Sequence, residues 1–164
     1  MDIRDGTAED LPAVAAIYTH YVLNTTVTFN THVRTPAEWR SRHRANVEEG
    51  RFDLLVAERD GAVVGFVETT EFRPKPAYAT SIEVTVYVAP DGQRGGVGSA
   101  LYEELFRRLA GQDVHRAYAV ITLPNDTSVR FHERFGFVHR GTLTEAGRKF
   151  GEFHDVALYE KALE

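Results

Sequence analysis

The order of apolar and polar positions divides the chain into short alternating elements. Residues 1–5 read as a brief first strand. Thr7-Ala8-Glu9-Asp10 reads as a helix-opening box, because the Thr hydroxyl can satisfy an orphan amide while Asp10 falls where the first turn favours acid. Leu11, Val14, Ala15, Tyr18, Tyr21 and Val22 follow at helical spacing, so one face of this helix is apolar. Residues 24–34, with Thr25, Thr26, Thr28 and Phe29, read as irregular or extended. Thr35-Pro36-Ala37-Glu38 opens a second helix, with proline where no donor is needed and Glu38 able to reach back to the cap. Only Trp39, His43 and Val47 form its apolar stripe, which predicts a peripheral helix. The surrounding Arg34, Arg40, Arg42, Arg44 and Arg51 read as a solvated face, with an anion- or partner-binding surface as the alternative.

Further along, Asp60-Gly61 between Asp53–Arg59 and Ala62–Thr70 predicts a hairpin. Arg73 to Pro76 carries two prolines and is expected to be loop. Residues 81–89 form a β-branched strand stopped by Pro90-Asp91-Gly92. Val97, Leu101, Leu105 and Leu109 stack at i+4 intervals, so 97–109 is predicted helical. Arg116–Leu123 reads as a strand, Asn125–Phe135 as a helix closed by Gly136, and 137–143 and 153–162 as two more strands. Strands and helices mix without strict alternation. The expectation is one α+β domain, residues 1–164, on a mixed sheet.

Composition narrows the function classes. The 164 residues are 43% hydrophobic and 26% charged, which is ordinary for a globular domain with a full core. Absence of cysteine removes disulfide scaffolds, thiolate nucleophiles and Cys-ligated zinc. A net charge of −5 argues against a nucleic-acid partner. No apolar run reaches the roughly 18 residues of a membrane span, and Met1 to Asp5 does not read as a signal peptide. A cytoplasmic location is expected. His20, His32, His43, His115, His139 and His154 show no metal-ligand spacing, so no metal is expected.

The stretch Gln93-Arg94-Gly95-Gly96-Val97-Gly98-Ser99 joins a strand to a helix. Glycines there let backbone amides approach a ligand, and the helix N-terminus adds positive potential, which together suit a phosphate or pyrophosphate. A P-loop is excluded because no Lys-Ser/Thr pair follows the glycines. The dinucleotide fingerprint is excluded because Leu101 stands where its third glycine belongs. A Q-x-x-G-x-G coenzyme A loop survives, beside the plain alternative of a Gly-rich turn. In the preceding strand Glu83, Thr85 and Tyr87 share one side while Val84, Val86 and Val88 share the other. Burial raises a carboxylate's pKa, which suits a general base. A packing role for Thr85 and Tyr87, with Glu83 paired to an arginine, is the equal alternative on pattern alone.

Gln93, Gly96 and Gly98 resemble the acetyl-CoA loop of the GCN5-related N-acetyltransferases. Glu83-Val84-Thr85-Val86-Tyr87-Val88, the run Leu123–Arg130, and His154-Asp155-Val156 are similar to phosphinothricin acetyltransferases. Thr25–Phe29 and the Thr35–Trp39 helix start are similar too, so the resemblance spans nearly the whole chain. It implies a central mixed, mostly antiparallel sheet of about six to seven strands flanked by about four helices. It also implies an acetyl-CoA-dependent N-acetyltransferase acting on a small amine such as phosphinothricin, methionine sulfone or methionine sulfoximine, and a homodimer. An acetyltransferase of peptide N-termini or aminoglycosides and a non-catalytic acyl-CoA sensor are the rival readings.

The resemblance assigns Glu83 to take the proton from the substrate ammonium. Asn125, Ser128 and His132 line one helical face at i, i+3 and i+7, and Asn125 can serve as an N-cap. Many members of the wider superfamily use a tyrosine at the place of His132 to protonate the leaving thiolate. The phosphinothricin branch carries histidine, which leaves acid, second base or oxyanion binder as roles for His132. Val86, Tyr87, Val88, Gln93 to Ser99, Asn125 and Ser128 are the expected cofactor contacts, with the Val88 amide at the oxyanion. Phe29, Arg73, Lys75, Tyr78, Thr85 and Tyr87 are the expected substrate contacts, Arg73 and Lys75 gripping a carboxylate or phosphinate.

Overall fold

The computed structural model describes residues 1–92 and 95–163. Gln93 and Arg94, both expected in the cofactor loop, lie outside the described residues. The chain opens with β1 (Asp2–Asp5), a 3₁₀ turn (Ala8–Asp10) and α1 (Leu11–Asn24). After the 25–35 loop come α2 (Pro36–His43), a π-helical turn (Arg44–Glu48), β2 (Leu54–Arg59) and β3 (Ala62–Glu71). Then follow β4 (Ser81–Val88), α3 (Val97–Leu109), β5 (Arg116–Thr122), α4 (Asp126–Arg134), β6 (Val138–Lys149) and β7 (Glu152–Ala162).

The seven strands form one sheet in the order β1-β2-β3-β4-β5-β7-β6. Every neighbouring pair is antiparallel except β4 with β5. Strand alternation sorts the core onto the two faces. Leu55, Ala57, Val67 and Val84 meet Leu101 and Leu105 of α3 on one side. Leu54, Val56, Phe66 and Tyr87 meet Val14 and Tyr18 of α1 on the other. The alternation predicted for Val84 and Tyr87 is therefore what the sheet contains.

The α2 box forms as its sequence requires. Thr35 N–H donates to Glu38 Oε2 at 2.6 Å, and Glu38 N–H donates back to Thr35 Oγ1 at 3.3 Å. The helix itself is less peripheral than its sparse stripe predicts, since Trp39 is buried edge-on against Tyr18 at 5.5 Å. One bulky ring does the work of several small apolar residues. At the other end of the chain, β6 runs six residues past the predicted 137–143, to Lys149. Glu145 takes a φ of 49° within a register shift between Leu143 and Gly147, and this bulge destroys the alternation by which a strand is read.

Candidate active site

β4 and β5 pair only over Ser81–Glu83 and Arg116–Tyr118, and then diverge. Ala89 N–H donates to Val64 O, so in the antiparallel β3–β4 ladder residues 83, 85 and 87 also point their amides at β3. The N–H groups of Val86 and Val88 therefore face the gap. Tyr21 of α1 donates its hydroxyl to Val88 O. A cavity of about 810 Å³ occupies this divergence, running from the 25–29 loop to the start of α3.

One end of the cavity is the N-terminus of α3. Gly95 and Gly96 hold φ values of 101° and 72°, a left-handed pair that a side chain would strain and that turns successive amides outward ahead of the helix. Two cations stand beside this end. A Cβ on Gly95 would lie 3.0 Å from Arg59 Nη2, and Arg134 donates to Ser99 Oγ at 2.6 Å. Gly96, Gly98 and Ser99 line the cavity. Val97 does not, because its side chain is buried beneath α3, which leaves only its backbone for a ligand.

Glu83 lies in the wall of the cavity, and burial pushes its carboxyl above the usual range. The neighbouring Glu68 carboxylate pushes the same way, while Arg42 opposes both. Glu68 pairs with Thr85 across the ladder, which puts it on the face that carries Glu83. Arg42 binds Glu68 through two hydrogen bonds of 3.0 and 3.3 Å.

On α4, Asn125 accepts Ser128 N–H at 3.1 Å and so caps the helix. Asn125, Ser128 and His132 all border the cavity. His132 is buried, which lowers its pKa and keeps the ring neutral. Its Nδ1 lies 2.8 Å from the Ser128 carbonyl oxygen, which can only accept, so Nδ1 carries the proton. Nε2 is then the acceptor for the Tyr102 hydroxyl at 2.9 Å. Both ring nitrogens are engaged within the protein.

At the opposite end the cavity is bounded by Phe29, Thr85 and Tyr87, three of the residues expected to contact substrate. The Tyr87 ring packs among Tyr18, Tyr21 and Phe66 at 5.0–5.4 Å. Arg73, Lys75 and Tyr78 are exposed on the β3–β4 connection and do not border this cavity; Tyr78 instead packs edge-on against Phe72. The cations that do border the cavity away from the helix start are Arg34 and Arg42. Among the described residues no group of side chains has the makings of a metal site, and no helix is long and apolar enough to cross a membrane.

A gap between parallel strands, continued by outward amides at a helix start, matches what one family of folds builds. The sequence profile of the acetyltransferase (GNAT) family covers residues 14–137. The chain belongs to this family. It is 47% identical to a phosphinothricin N-acetyltransferase of Streptomyces coelicolor, over 99% of this chain and 96% of the relative. It is 32% identical to an L-methionine sulfoximine/L-methionine sulfone acetyltransferase of Pseudomonas paraeruginosa, over 99% of this chain and 94% of the relative. The crystal structure of a GNAT superfamily phosphinothricin acetyltransferase from Sinorhizobium meliloti in complex with acetyl-CoA superposes with a TM-score of 0.94 at 30% identity. That match covers 99% of this chain and 88% of the other. The protein is an acetyl-CoA-dependent N-acetyltransferase.

For this acetyltransferase the sequence named an anion-binding surface only as the second reading of the arginine cluster, and did not place any of it in the cavity. Arg34 and Arg42 belong to the arginine cluster read as a solvated face, and only the 25–35 loop and α2 folding over β3 turn them inward. Glu68 carried a usable signal. The Asp60-Gly61 hairpin and the run into β4 fix which β3 residues share the face of Glu83.

Proposed function

We propose that this acetyltransferase passes the acetyl group of acetyl-CoA directly to the amine of a small amino-acid-like acceptor of the phosphinothricin, methionine sulfone or methionine sulfoximine type. The names of its relatives support that acceptor class. The observation that carries the reading is a half-buried carboxyl, Glu83, pushed up by desolvation, in the wall of a cavity whose far end is the glycine-flanked start of a helix.

Acetyl-CoA, when bound, supplies the activated acetyl group. The residues present suit it: amides from Gly95 to Ser99 and the cations Arg59 and Arg134 for the pyrophosphate, and the gap-facing amide of Val86 for the arm. An ammonium has no lone pair, so Glu83 takes its proton, directly or through one water. The amine nitrogen then bonds to the acetyl carbon, the carbon–sulfur bond breaks, and the second proton that the nitrogen sheds balances the one the departing thiolate takes up. The Val88 N–H is the donor for the oxyanion that forms between these events. Holding both reactants in one cavity removes much of the entropic barrier. With no cysteine in the chain, no acyl-thiol intermediate forms on the protein. His132 acts here as a neutral support of α4. The same reading carries a cytoplasmic homodimer, and the exposed Leu143, Phe150 and Phe153 on the β6–β7 hairpin support a covered face there.

A thiol-release assay over phosphinothricin, methionine sulfone, methionine sulfoximine and short peptides tests this. Release with at least one of the amino acids and little with peptides is expected. Glu83→Gln is expected to lower kcat/KM about 10²–10⁴-fold while calorimetry still detects acetyl-CoA binding. Preference for peptides, or wild-type rates in Glu83→Gln, overturns the reading.

A further inference from the structure

The acceptor end of the cavity contains one arginine that makes no ion pair among the described residues, the exposed Glu38 acting on it only at longer range. Arg34 stands in the loop before α2, with its guanidinium carbon 4.8 Å from the centre of the Tyr18 ring and 5.0 Å from that of Trp39. Both rings are buried and meet edge to face, forming a corner that holds the guanidinium by cation–π attraction. Tyr18 is itself fixed, because its hydroxyl lies 2.8 Å from Thr28 Oγ1 and also receives a hydrogen bond from Asn30 Nδ2. Yet Nη1 of Arg34 is buried without a hydrogen-bond partner among the described residues. Aromatic faces place a guanidinium but do not satisfy its in-plane N–H groups. A buried donor left unpaired is costly, so its retention in a cavity wall points to a partner that arrives from outside.

The charges of the acceptor end say what that partner is. Arg42 and Glu68 neutralise one another. Arg134 sits at the far end, on Ser99. This leaves Arg34 as an open positive group and Glu83 as an open acid on the same cavity. One cation and one base are the complement of a zwitterion.

We propose that Arg34 is the anion receptor of the acceptor pocket, taking a carboxylate or phosphinate of the substrate by in-plane, charge-assisted hydrogen bonds while Glu83 takes the ammonium. The inference rests on the acceptor class proposed above and adds the residue that makes the enzyme prefer anionic amines over plain ones.

Four acceptors separate the possibilities. L-Methionine sulfone carries a carboxylate only, phosphinothricin carries both anions, 3-aminopropyl(methyl)phosphinic acid carries a phosphinate only, and 3-(methylsulfonyl)propan-1-amine carries neither. The readout is the ratio of kcat/KM for each anionic acceptor to that for the anion-free amine. In Arg34→Gln this ratio is expected to fall about 10–100-fold, the size of a lost hydrogen bond to a charged group. Arg34→Lys keeps the charge without the fork and is expected to recover part of it. A fall confined to the carboxylate-bearing acceptors, or to the phosphinate-bearing ones, supports the proposal and identifies the anion. An unchanged ratio, including a uniform loss over all four acceptors, marks Arg34 as structural and overturns it. Absence of turnover by the wild-type enzyme with all four overturns the acceptor class and this inference with it. Acetyl-CoA affinity and thermal melting, measured on each variant, confirm that a changed ratio comes from a folded protein.

Discussion

Arg42 on α2 binds Glu68 on β3 through Nε and Nη2, and this pair stands beside Glu83 in the cavity wall. Glu68 raises the carboxyl of Glu83 and Arg42 lowers it, so the two partly cancel while burial sets the upward direction. A carboxylic acid must be ionised to accept a proton, so kcat/KM falls as pH drops through the pKa of Glu83. Glu68→Gln removes a negative neighbour, and the acid limb of the profile is expected to move to lower pH. Arg42→Gln removes the positive neighbour and leaves Glu68 unpaired, so that limb is expected to move to higher pH. Opposite displacements in the two variants are the signature to look for in pH–rate profiles. Identical limbs in both would show that the limb belongs to another group.

The Tyr102–His132 contact makes a different prediction. Tyr102 is completely buried and donates to a ring nitrogen whose partner nitrogen is bonded to a backbone carbonyl. Tyr102→Phe leaves Nε2 buried and unsatisfied, which is expected to cost about 1–3 kcal/mol of stability. Chemical denaturation would read this directly. The neutral ring protonated at Nδ1 is expected to persist through neutral pH in nitrogen-15 NMR of the wild type. An imidazolium there would restore an acid role for His132.

How much of this could be read from the chain depends on whether a feature is local or assembled. The α3 stripe and the Asp60-Gly61 turn are set by neighbours in sequence, and both occur where the pattern places them. The face shared by Glu83, Thr85 and Tyr87 follows from strand alternation alone. The acceptor end is assembled from distant segments. Arg34 reads as surface until Trp39 and Tyr18 form a corner for it, and Arg42 until β3 brings Glu68 within reach. Arg73 and Lys75 look equally suited as sequence, yet the β3–β4 connection carries them away from this cavity.

Asp10 anchors the start of α1 and gives the fold an acid-sensitive joint. Arg4 holds it with two hydrogen bonds of 2.8 Å, and Thr7 adds its amide and hydroxyl at 2.8 and 3.1 Å. These contacts, the Arg4 bonds foremost, hold the carboxyl down at about 2. A depressed acid stabilises the fold above its ordinary pKa of 3.8 and loses that contribution as pH falls toward 2. Asp10→Asn is expected to cost about 1–2 kcal/mol near neutrality, Arg4 being partly solvated. The gap between variant and wild type should narrow in melts taken from about pH 5 down to about pH 2. A constant gap would mean that ionisation of Asp10 contributes nothing.

The β6–β7 hairpin shapes the acceptor end through a residue with no side chain. A Cβ on Gly147 would lie 2.1 Å from Phe29 Cε2, so the bulged strand makes room for a ring that borders the cavity. Nearby, the buried Lys149 donates to the Thr28 carbonyl at 2.8 Å and ties the same loop to the hairpin. Gly147→Ala therefore has to move Phe29, while Lys149 keeps the loop itself in place. Phe29 is about one-third exposed and can swing outward, so the loss of stability should be small. The expected effect is a rise in acceptor KM of about tenfold, the equivalent of one modest packing defect. Acetyl-CoA affinity should not change, since the helix start proposed to hold its pyrophosphate lies at the other end of the cavity. Steady-state kinetics with acceptor varied, set beside calorimetry with acetyl-CoA, separates the two ends. An unaltered acceptor KM would remove Phe29 from the pocket's working surface.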